Sequence, residues 1–164
     1  MVEMALVAPI LILILVGIFE IGIAFYDYLT VSYVTRDGAR VGSFMGDDAQ
    51  ADCEIIKTVA AGLTGAQFQR MNELQVFKAD SQGRQGATNT YRFTGTNPQN
   101  CGHWSSTIGW SPTSRQTLVG TRPLDILGVR ILMRHDWITG FPPFRGFFTI
   151  NEDSITRLEP EAYE

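Results

Sequence analysis

The side chains that could do chemistry in this chain are few and scattered. Its two histidines, His103 and His135, lie in separate segments, and no His-x-x-x-His, Cys-x-x-Cys, Gly-x-Ser-x-Gly or phosphate-binding glycine loop occurs. His135-Asp136 with a serine would suit acyl transfer, but no spacing brings one of the many serines to that histidine. Asp47, Asp48 and Asp52, and again Asn151, Glu152 and Asp153, offer oxygens for a hard cation without the spacing of a calcium loop, and they read as solvated acidic loops. No catalytic, cofactor-binding or metal-binding residue is assigned. A net charge of -4, with lysine only at Lys57 and Lys78, leaves no basic footprint for nucleic acid, and no small-molecule substrate is expected.

The remaining reactive pair is Cys53 and Cys101. In an oxidising compartment they should join, closing a loop of about 49 residues and contributing roughly 4 kcal/mol on the chain-entropy argument. In a cytosolic protein they would be two buried thiols. An apolar N-terminus with the bulk of the chain downstream argues for export, and so for the disulfide.

That N-terminus is the dominant element. Met4 to Phe19 is unbroken apolar sequence, with Glu3 before it and Glu20 after it. As a helix, Met4 to Tyr26 would run roughly 34 Å, against about 30 Å of bilayer hydrocarbon. A cleaved signal peptide fits poorly: the leading residues carry an acid rather than Lys or Arg, and no small-x-small cleavage site ends the run. A permanent anchor and a helix that later packs among copies of itself remain. Glu3 bears on the choice, because a carboxylate at the lip of such a helix needs either solvation at headgroup level or a cationic partner such as a free α-amino group.

Several residues suit the packing reading. Pro9 withholds an N–H, kinks the helix and frees the carbonyl of Ala5. Gly17, Gly22 and Ala24 are small enough for close helix approach, and Glu20 and Asp27, seven residues apart, lie on nearly one face. An ordinary anchor would instead hold both acids at the outer interface. Helical spacing continues through Arg36 and Arg40 to a stop at Gly42 or Gly46, giving one helix of roughly 40 residues. Its outer half should press Phe25, Leu29 and Tyr33 on a globular head.

Residues 47–164 make one domain's worth of chain. Glu54 to Leu63 predicts a short helix with Asp52 as its N-cap. Leu74 to Ala79 and Asn89 to Thr94 predict a hairpin. Ile126 to Trp137, with Val129, Ile131 and Met133 alternating against Arg130 and Arg134, predicts a half-buried strand, and Phe147 to Leu158 its partner. Gly95 to Pro123 reads as a long loop in which Trp104 and Trp110 either mark an interaction surface or cap the sheet as core. The fold class is therefore α+β: a long hydrophobic helix packed on a small four-stranded antiparallel sheet. The chain divides into a membrane or filament-core helix (1–26), its amphipathic continuation (27–46) and an extracytoplasmic head (47–164).

Val2-Glu3-Met4-Ala5-Leu6-Val7-x-Pro9, then Gly17-Ile18-Phe19-Glu20-Ile21-Gly22, then Thr35-Arg36-Asp37-Gly38-Ala39-Arg40, resemble in order and spacing the N-terminal signature of the TadE-like family of Flp/Tad pilus pseudopilins. Asp153 to Pro160 repeats a weak echo of that signature. The resemblance covers about the first 42 residues and implies a type IV-pilin-like fold and life cycle. A prepilin peptidase removes a short basic leader, the helix holds the protein in the bacterial inner membrane, and an assembly platform extracts it into an extracellular pilus used in adhesion. Identical subunits or other pilins are the implied partners through the helix, with Glu3, Pro9, Gly17, Glu20 and Gly22 as assembly residues. The family glutamate is expected near position five of the mature chain; here it is Glu3, and no basic leader precedes Met1, so a processed or truncated form is expected. A removed leader would also balance Arg36 and Arg40, which follow the span against the positive-inside tendency. The competing hypothesis is a membrane-anchored extracytoplasmic binding or sensory domain that does not polymerise.

Overall fold

A computed structural model of the chain describes residues 2–120, 123–140 and 142–160; for residues 2, 3 and 5 the description is of the backbone alone. Helix α1 runs Val2–Met45 with Pro9 inside it. It stops where expected: Gly46 takes φ +57°, a left-handed conformation that ends helices and that glycine adopts without a Cβ penalty. Helices α2 (Ala51–Gly62) and α3 (Gly65–Gln69) follow, the second started by a capping box between Thr64 and Gln67. The strands are β1 (Met71–Ala79), β2 (Gln85–Phe93), β3 (Trp104–Thr107), β4 (Ile126–Asp136) and β5 (Phe147–Arg157).

These strands form one antiparallel sheet in the order β3-β2-β1-β4-β5. The four expected strands are present, and a fifth, β3, lies within the stretch read as loop. It has only four residues, Trp-Ser-Ser-Thr, too short and too polar to alternate visibly, and it exists because β2 offers a free edge beside it. Asn151, Glu152 and Asp153 are likewise not a loop. They pair with Leu132, Ile131 and Arg130 in the β4–β5 ladder.

Helix α1 packs on β4 and β5 and also against α2. The core joins Val31, Val34 and Ala39 of α1 to Ile55, Ile56 and Val59 of α2 and to the alternating Leu127, Val129, Ile131 and Met133 of β4. The face of α1 that meets the head is thus not Phe25, Leu29 and Tyr33, which are exposed; Tyr33 keeps 70% of its surface. The contact face is made of valines with small and polar residues because α2 crosses close by. A Cβ on Gly38 would stand 3.1 Å from Val59 Cγ2, and one on Gly42 would stand 2.6 Å from Ile55 Cδ1. Gly38-Ala39 is buried in that crossing while Arg36 and Arg40 face outward, which gives the Arg-Asp-Gly-Ala-Arg run a packing purpose.

Asp52 does not cap α2; the N-cap is Gln50, and Asp52 is a buried residue of the first turn. Its carboxylate accepts hydrogen bonds from buried Arg115, from Asn89 Nδ2 (2.8 Å) and from the Tyr91 hydroxyl (2.5 Å). Burial, and then the Asp52 charge, push the Tyr91 hydroxyl well above the usual phenol range. Asn89 also holds Trp110 through its backbone N–H (2.7 Å) and C=O (2.7 Å), and the Arg115 guanidinium lies 4.6 Å from the Trp110 ring centre. Trp104 packs edge-on against Phe68 and Phe93 and donates to the Pro98 carbonyl (3.0 Å). Both tryptophans are buried, which corrects the surface alternative: in the folded chain they are core, and they fix the long loop onto the sheet.

Candidate functional site

The other described residues leave the first half of α1 largely bare, up to half-buried Val16 and Gly17 at its end. From Met4 to Phe19 its large apolar residues are solvent-facing all round the helix, among them Leu6, Ile10, Leu11, Ile14 and Phe19. The 40-residue stretch Leu6–Met45 is long enough to cross a membrane, and its most apolar window has a mean hydropathy of 2.7. A helix that is apolar on every side, with no protein to cover it, belongs in lipid or among other helices. Pro9 lies in this half. The side chain of Glu3 lies outside the described residues.

The second half begins at two buried carboxylates that bind the head. Glu20 accepts from the backbone N–H of Ile138 (3.1 Å) and from both the backbone N–H (2.5 Å) and the hydroxyl (2.6 Å) of Thr139. Asp27 pairs with Arg70 (2.7 Å), with Gln67 Nε2 (2.9 Å) and with His135 Nδ1 (2.7 Å). His135 is fully buried, its ring set against Trp137 and Phe148. It is therefore a fastening of β4 to α1, and Asp136 beside it turns away to Arg134.

The structure brings some of the expected assembly residues together and separates others. Gly17 meets the head: a Cβ there would lie 3.5 Å from the Phe144 ring. Gly22 is exposed, with nothing within 4 Å of its Cβ position. Glu20 is occupied by its own head. Cys53 and Cys101 form a disulfide with Cα atoms 5.6 Å apart, tying α2 to the turn before β3. Among the described residues no three His, Cys, Asp or Glu side chains gather as they would around a metal ion.

Sequence reasoning missed Gln67, Arg70, His135 and Thr139 as a set. The seven-residue spacing of Glu20 and Asp27 announced one acidic face. Its partners, 40 to 119 residues further on, leave no local signal.

An exposed apolar helix long enough to cross a bilayer, continued into a disulfide-linked α+β head, is the architecture of a chain that a membrane could anchor. Residues 1–40 match the family described as TadE-like protein. The match supports membership of the TadE-like family, a family of structural components of Flp/Tad pili, and together with the helix it supports a Tad pilus-associated, membrane-anchored protein. No curated protein and no solved structure matches the chain.

Proposed function

We propose that this protein is a pilin-like structural subunit, held in the bacterial inner membrane with its head outside and then assembled through α1 into an extracellular Tad-like pilus used in adhesion. The observation that carries the reading is the coincidence of the TadE-like match over residues 1–40 with a helix half that the other described residues leave largely uncovered. A surface that suits lipid before extraction also suits a bundle of like helices afterwards, since both are apolar. Within this reading Glu3 meets a neighbour's terminal amine, Pro9 lets the first turn bend in a crowded core, and Gly22, open on the exposed face, admits a close neighbour. The role of a minor subunit that primes or tips the filament fits the family better than that of its main component. Prepilin peptidase and the inner-membrane assembly platform are the partners this route requires.

One observation favours the alternative of a non-polymerising anchored binding or sensory domain: Glu20 and Asp27 are satisfied within the subunit and ask nothing of a neighbour. Shearing cells and probing the extracellular fraction separates the two. The assembly reading expects the wild-type chain in sheared filaments and its loss on Glu3→Ala. Normal assembly of that variant would sink the assembly role of Glu3, and a wild-type chain that never leaves the membrane would establish the anchored alternative.

A further inference from the structure

The turn between β4 and β5, described at residues 137–140 and 142–146, reaches down beside the apolar helix. Its Phe144 ring lies against Gly17, and its Ile138 and Thr139 N–H groups cap Glu20. Both contacts fall inside the stretch that would cross a bilayer. The rise from Met4 to Gly17 is roughly 20 Å, against about 30 Å of hydrocarbon. Beside the turn the helix shows lipid-suited residues, Ile18, Phe19, Ile21 and Phe25, all exposed. At that level the turn presents Ile138, Pro142 and Pro143 as exposed apolar surface, and Phe147 and Phe148 continue it at the start of β5.

We infer that the β4–β5 turn is a second membrane contact, seated in the outer acyl–headgroup boundary with Trp137, Ile138, Phe144 and Phe147 as its anchors. This rests on α1 lying in the membrane. Irregular backbone does not survive in the lipid-exposed hydrocarbon centre, so the turn sits at the boundary and the bilayer thins to meet it. Aromatic residues suit this layer, and Arg145 is long enough to carry its charge to phosphates. The three donors around Glu20 then have a purpose: they keep a carboxylate paired where water is scarce. The hydrocarbon span shortens to about Met4–Gly17, which lowers the apolar surface that must leave lipid when the subunit is extracted.

The test uses the full chain in vesicles of phosphatidylethanolamine and phosphatidylglycerol, with one nitroxide-labelled cysteine at a time. Ile138→Cys and Phe147→Cys probe the turn, Leu11→Cys probes the span, and Ser81→Cys probes the β1–β2 turn at the opposite end of the sheet. All four positions are exposed, and the native cysteines are joined and take no label. The expected result is a ratio of oxygen to nickel-chelate accessibility several-fold higher at Ile138 and Phe147 than at Ser81, and highest at Leu11. Turn labels that match Ser81 while Leu11 is deep would overturn the inference and leave the membrane helix intact. An aqueous Leu11 label would overturn the helix reading and the inference with it. In the unlabelled chain, brominated lipid should quench fluorescence that Trp137→Phe removes, because Trp104 and Trp110 are buried in the head; no quenching, or quenching that survives the substitution, would overturn the inference independently.

Discussion

The two halves of α1 are built from the same kind of backbone and solve opposite problems. Residues 4–19 leave most of their large aliphatic side chains uncovered, whereas residues 20–45 bury a narrow stripe of Glu20, Asp27, Val31, Val34, Thr35, Gly38, Ala39, Gly42 and Ser43. In a bilayer, bulk in the first half would be harmless because the surroundings would be fluid. In the second the surroundings are α2 and the sheet, and side-chain size and charge are set by fixed neighbours. A helix can thus be generic where its partner is a solvent and specific where its partner is a fold.

The largest effect should come from cutting the fastening of the second half to the head. Asp27→Ala strands buried His135 and leaves Arg70 unpaired, and it should cost about 3 kcal/mol of head stability, read by denaturant unfolding of the full chain in detergent with near-ultraviolet dichroism. Helicity of residues 4–19 should persist. If the whole helix melted together, the two halves would not be independent.

Removing the disulfide sharpens the contrast from the other side. Cys101→Ser should lower head stability by about 2–4 kcal/mol while membrane association, governed by the bare half, stays unchanged in flotation.

Two glycine substitutions on one helix should then diverge. Gly42→Ala forces a Cβ into Ile55 and should cost about 1–3 kcal/mol, while Gly22→Ala meets nothing and should stay within about 0.5 kcal/mol in the same assay. An equal response would contradict the division. Loss of Gly22→Ala from sheared pili, with stability kept, would mark Gly22 as an intersubunit contact.

The smallest effect concerns alkali. Tyr91 is held neutral in the fold, so its contribution is complete below the ordinary phenol pKa of about 10 and is lost as pH rises past it, because only the unfolded chain then releases the proton. Head stability should fall above pH 10 with a slope of at most about 1.4 kcal/mol per pH unit from this group. A flat profile there in the wild type, or the same fall in Tyr91→Phe, would place the effect elsewhere.

Much of the architecture was legible because it rests on local patterns. The apolar run, the glycine at the end of α1, the alternation along β4 and the turn chemistry between β1 and β2 each act within a few residues. The packing face of the outer helix was not legible. Phe25, Leu29 and Tyr33 look like a core stripe, and a period alone does not reveal that α2 approaches too closely for them. Asp52 was misread for a related reason: its position before a helix matches a cap, and the guanidinium that claims it arrives from Arg115.

By itself, then, the sequence determined the membrane-capable helix, the α+β head and the cysteine pairing expected of an exported chain. These follow from hydrophobicity, periodicity and compartment, which are carried by runs of neighbouring residues. Only the tertiary structure decided that Glu20 and Asp27 face the chain's own head, that both loop tryptophans are core, and that the β4–β5 turn lies beside Gly17. Each depends on contacts between residues far apart in the chain, and there burial and hydrogen-bond satisfaction choose among faces that local pattern leaves equal.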